Sequence, residues 1–109
     1  LNEAYTVLRD PFQRAEYLLK LEGGPSASEQ KEMPPEFLEE IMDLRMEMAE
    51  LDAAGRAAME EKLKARRESM LAEIASDFAQ LESDRARMLV SIRKRLNALK
   101  YVRNLLRDL

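Results

Sequence analysis

The chain has 109 residues, no cysteine, no histidine, 36% charged residues and a formal net charge of −3. Without thiol or imidazole there are no disulfides, no Cys or His metal ligands, and no Ser-His-Asp or Cys-His chemistry. The nearly balanced charge argues against a nucleic-acid binder, which is more often strongly basic. No apolar run approaches the roughly 20 residues of a membrane span.

These absences point away from an enzyme, a cofactor or a metal site, and toward protein binding. Leu1 is not an initiator Met, and the helical pattern starts without a cap. The chain is therefore expected to be a fragment, and its lack of a targeting segment says little.

Gly, Pro and polar clusters divide the chain into helical stretches. Leu1, Ala4, Tyr5 and Leu8 recur at helical spacing. Asp10-Pro11 then restarts a helix: Asp10 suits the cap, Pro11 the first helical position and Gln13 a capping-box partner. Phe12, Ala15, Leu18 and Leu19 give this stretch its apolar side, and Gly23-Gly24-Pro25 stops it. Residues 24–34 read as a polar linker, a plain flexible loop.

The next helix is predicted to open at Pro34-Pro35 and end near Gly55. Phe37, Ile41, Leu44, Met48 and Leu51 follow a 4-3-4-3 spacing, a seam for a partner helix. A further helix runs roughly from Arg56 to Leu81, with Met59, Leu63, Met70, Ile74, Phe78 and Leu81 inward and Arg67 interrupting the stripe. The last begins near Ser83-Asp84, with Ser83 as its expected cap. Its stripe is Leu89, Ile92, Leu96, Leu99, Val102, Leu106 and Leu109. No segment alternates with the period of a strand. Short connections make neighbours antiparallel, so the expected fold is all-α: an antiparallel three-helix bundle preceded by two short helices.

The helix after Pro34 carries more apolar side chain than one seam needs. With Phe37 at zero and about 100° per residue, the seam lies within about 40° of zero. Leu38, Met42, Met46 and Ala49 fall between about 100° and 180°, flanked by Glu39, Asp43 and Glu50. This second stripe either packs against a second neighbour or forms an exposed binding patch, for which adaptable Met side chains are suited. The last helix has a similar surplus in Ala98, Tyr101 and Leu105, read as core or, for Tyr101, as an interface anchor. The basic runs Lys62–Arg67 and Arg93-Lys94-Arg95 read as solvated faces.

Asn2-Glu3-Ala4-Tyr5 through Asp10-Pro11, with Arg14 and Tyr17, resembles the end of a J domain. Arg14-Ala15-Glu16-Tyr17-Leu18-Leu19-Lys20-Leu21-Glu22-Gly23 resembles a segment of HscB, the J-type co-chaperone of iron–sulfur cluster assembly. Phe37-Leu38-Glu39-Glu40-Ile41-Met42-Asp43-Leu44-Arg45 is similar to the start of that family's C-terminal domain. Ile92-Arg93-Lys94-Arg95-Leu96 through Tyr101-Val102 is similar to its last helix.

The resemblance implies residues 1–23 as the end of a J domain, 24–34 as linker and 35–109 as the C-terminal scaffold-binding domain. It implies an IscU-type scaffold as partner, and an HscA-type DnaK-class chaperone engaged through a His-Pro-Asp loop. With no histidine present, that loop lies outside this chain. By position the scaffold patch would comprise Leu38, Met42, Asp43, Met46, Glu50 and Tyr101, which favours the exposed reading of the second stripe. Two positions depart from the family: Glu39 stands where an apolar residue can occur, and Met46 where an acidic one can. The bacterial cytoplasm is the implied compartment, with the mitochondrial matrix as the other. The alternative function is a structural bundle that forms a homodimer through the same stripe.

Overall fold

A computed structural model describes residues 10–109; the expected helix around Leu1, Ala4, Tyr5 and Leu8 lies outside them. Four helices follow: α1 (Pro11–Leu21), α2 (Pro35–Met48), α3 (Ala53–Ala79) and α4 (Arg85–Asp108). The described residues contain no strand. The fold is all-α, as the sequence predicts.

The helix ends show the local chemistry at work. The Asp10 carboxylate accepts from the Phe12 N–H at 3.0 Å, and Pro11 occupies the first turn. At the other end Gly23 adopts φ +81°, a conformation that costs glycine little. Gly23 and Gly24 donate their N–H groups to the Lys20 and Leu19 carbonyls, closing the helix in Schellman fashion. A side chain at Gly24 would run into Leu19, so the turn also needs glycine for close packing.

Two predicted boundaries are corrected. α2 ends at Met48, and α3 begins at Ala53, before Gly55 rather than after it. The reason is a cap: the Asp52 carboxylate accepts from the Gly55 N–H at 2.8 Å, which starts a new helix there. Leu51 falls in the turn and still packs against the core. At the last helix, Asp84 rather than Ser83 holds the cap position, without a side-chain cap bond.

α4 is the central element. α3 lies antiparallel along it, with Arg56 bonding the Leu109 carbonyl at one end and Asp77 paired with Arg95 nearer the other. α2 runs parallel to it: Phe37 shares a cavity with Ala98, and Arg45 meets Asp108. α1 lies antiparallel along another side, with Asp10 beside Arg103 and Glu22 beside Arg85. A helix with three neighbours must present apolar or fully bonded groups on three sides. Ile92, Leu96, Leu99, Val102 and Leu105 are accordingly buried, as are Arg93 and Asn97.

The seam Phe37, Ile41 and Leu44 is buried as predicted, and so are Met59, Leu63, Met70, Ile74 and Leu81. Phe78 is partly buried against the same core. In α1, Phe12, Ala15 and Leu19 are buried, but Leu18, predicted on the apolar side, is exposed. It sits one residue off the face that meets α4.

The basic cluster at 93–95 is not a solvated face. Arg93 is 4% exposed and grips Glu16 with two bonds, at 2.5 and 3.1 Å. Its Nε donates to Asn97 Oδ1, and the Asn97 amide donates to the Gln30 and Glu32 carbonyls at 2.9 Å. Arg95 bonds Asp77, itself buried, and Glu73. In the other run, Arg66 pairs with Glu40. The segment 24–34 is thus free of helix but held down, by Asn97 and by Met33 against the core. Within it Ser26 and Glu29 exchange reciprocal backbone–side-chain bonds. The Ser26 N–H, then its hydroxyl, lowers the Glu29 pKa below the ordinary carboxylate value.

Candidate protein-docking site

α2 shows two different faces. Its inner face buries Phe37, Ile41 and Leu44. Its outer face carries Leu38, Met42 and Met46, which are 50%, 65% and 72% exposed. At i, i+4 and i+8 these three form one row along the helix. Ala49 is exposed just beyond it. The second stripe therefore has no neighbour within the described chain.

The charges around the row divide in the same way. Glu40 reaches inward to Arg66, with bonds of 2.9 and 3.1 Å, and Arg45 lies 3.9 Å from Asp108. Glu39, Asp43, Glu47 and Glu50 are exposed, and none has an ion-pair partner among the described residues. An apolar row with an unpaired acidic border is complementary to an apolar partner surface edged with basic groups. Glu47 belongs to this border as well; its position one residue past Met46 was the available sequence signal.

The surplus of the last helix resolves differently. Ala98 and Leu105 are buried, at 2% and 0% exposure, and belong to the core. Tyr101 alone of the three is exposed. Its surroundings are Ala27 and Lys31 of the connecting segment, and Asn97, Lys100 and Asn104 of α4. Phe37 is level with Ala98, and Arg45 with Asp108. Tyr101 is therefore about level with the Leu38–Met42 part of the row.

The described residues hold no group of three or more Asp or Glu side chains placed to bind a metal ion. No described helix is long and apolar enough to cross a membrane. The arrangement can bind a protein surface by apolar burial and orient it by charge.

Fold and site together define an all-helical module with an uncovered apolar row on α2. The family model described as the HSCB C-terminal oligomerisation domain matches residues 33–109. A co-chaperone protein HscB homolog of Vibrio cholerae is 37% identical over 112 residues, covering 94% of this chain and 66% of that protein. The Vibrio vulnificus homolog is 36% identical with the same coverage. The Ralstonia nicotianae homolog is 47% identical over 55 residues, half of this chain and 31% of that protein. No solved structure matches. The chain belongs to the HscB co-chaperone family, whose members are not enzymes. It spans just under two thirds of the length of the Vibrio relatives it matches.

Proposed function

We propose that this chain is the scaffold-docking part of an HscB-type co-chaperone of iron–sulfur cluster assembly. It binds an IscU-type scaffold through Leu38, Met42 and Met46, with Tyr101 as a flanking aromatic. The whole protein delivers that scaffold to an HscA-type DnaK-class chaperone. Residues 1–23 are the end of the J domain that engages the chaperone, 24–34 the linker and 35–109 the docking domain. The bacterial relatives support a cytoplasmic setting.

The observation that carries the reading is the exposed row on α2. Each well-packed apolar side chain contributes about 1–3 kcal/mol on burial. Asp43 and Glu50 at the border act on orientation and association rate more than on affinity. Calorimetric titration of the scaffold against the Leu38→Ala/Met42→Ala variant tests it. Affinity should fall at least about tenfold. An unchanged affinity removes the row from the docking surface.

A second reading is favoured by the description of the matching family as an oligomerisation domain. Two copies of the chain would then cover each other's rows. Sedimentation of the chain alone separates the readings: a stable dimer that Met42→Glu dissolves supports self-association, and a monomer supports the scaffold.

A further inference from the structure

All seven methionines lie within the described residues. Met59, Met70 and Met88 are buried, and Met33 and Met48 are partly buried against the core. Met42 and Met46 stand apart, exposed at 65% and 72% and one helical turn from each other. The two most accessible thioethers of the molecule therefore sit side by side in the row assigned to docking.

We infer that Met42 and Met46 form a methionine-oxidation site that switches the docking surface off. The inference rests on the docking reading above. The co-reactant is a peroxide-class oxidant. The sulfur lone pair attacks one peroxide oxygen, the O–O bond breaks and an S–O bond forms. The proton of the transferred hydroxyl passes to the departing hydroxide, which leaves as water. Sulfur is oxidised by two electrons and the peroxide reduced by two. The product sulfoxide is polar and chiral where the thioether was apolar and adaptable. Two such groups, one turn apart, replace most of the apolar row by groups that would have to shed water on docking. Because the core methionines are shielded, the bundle itself survives the modification. Methionine sulfoxide reductases can reverse it.

The experiment exposes the folded full chain to dilute hydrogen peroxide, removes the oxidant by desalting, and divides the sample. Peptide mass mapping should find an added oxygen first at Met42 and Met46, with the five shielded methionines slower by about tenfold or more. Thermal unfolding should be unchanged. Titration with an IscU-type scaffold should show affinity reduced about tenfold or more, and reductase treatment should restore it. The Met42→Leu/Met46→Leu variant, whatever its starting affinity, should lose none of it on peroxide treatment, because neither position then carries a thioether to oxidise.

Even oxidation of all seven methionines overturns the site. Selective oxidation with unchanged affinity, in a chain whose unoxidised form does bind scaffold, overturns the switch. If the unoxidised chain fails to bind scaffold, the docking reading falls and takes the switch with it. The mass map still decides the modification site.

Discussion

The seam between α1 and α4 and the outer face of α2 are built from the same kinds of side chain. On the seam the acids of α1 and its caps pair with arginines of α4. Three ion pairs cross it in antiparallel order: Asp10–Arg103 at 2.7 Å, Glu16–Arg93 at 2.5 Å and Glu22–Arg85 at 2.9 Å. Arg103 also lies over the Phe12 ring, 4.3 Å from its centre, a favourable cation–π geometry. Phe12, Ala15 and Leu19 are buried beneath. On the α2 face Leu38, Met42 and Met46 remain exposed, and the acids beside them have no partner among the described residues. Contiguous exposed apolar side chains with a polar border mark interaction surfaces. The seam is closed within the chain, whereas no described residue covers the α2 face.

Burial ranks the pairs on the seam. The outer two pairs are partly exposed, at 36% and 30% for Arg103 and Asp10, and 54% and 41% for Arg85 and Glu22. Exposed pairs of this kind contribute about 0–1 kcal/mol. The middle pair has Arg93 at 4% exposure and carries Asn97 and the connecting segment with it. Its removal costs more because it leaves groups that cannot all regain water.

The largest effect should come from the apolar base of the seam. Leu19, 1% exposed, truncated to Ala should lower stability by about 2–5 kcal/mol in chemical denaturation. Unfolding should stay a single transition, since α1 shares the core. A separate early transition for α1 would show that the rest of the bundle does not need the seam.

Arg93→Met keeps the length and removes the charge. It should cost about 2 kcal/mol, against less than about 1 kcal/mol for Arg85→Ala. Equal losses for the two would show that burial does not rank the pairs. The smallest effect is expected on the unfinished face. Met46→Ala should change the unfolding free energy by no more than about 0.5 kcal/mol, even where it weakens scaffold binding. A large loss of stability there would mean that the row is already covered.

Much of the fold was legible in the sequence because the signals were local. Asp10-Pro11, the Gly23-Gly24 stop and the Phe37–Leu44 seam each act within one or two turns, and the structure keeps all of them. The α2–α3 boundary was missed because Asp52 competes locally with an apolar pattern that continues to Leu51. Arg93, Asn97 and Asp77 were not recognisable as interior groups. Glu16 lies 77 residues from Arg93, and Gln30 lies 67 from Asn97. No window of sequence contains both members of such a pair.

The candidate site shows the same division. Helical periodicity by itself placed Leu38, Met42 and Met46 on one face, and Ala98, Tyr101 and Leu105 on another. It could not say which surplus was core, because a face is buried only if a neighbour arrives. Tertiary structure decided that. α4 stands at the centre with three helices around it, so Ala98 and Leu105 disappear into the interior. α2 stands at the edge with its second face turned outward, so an equally apolar row stays exposed to solvent.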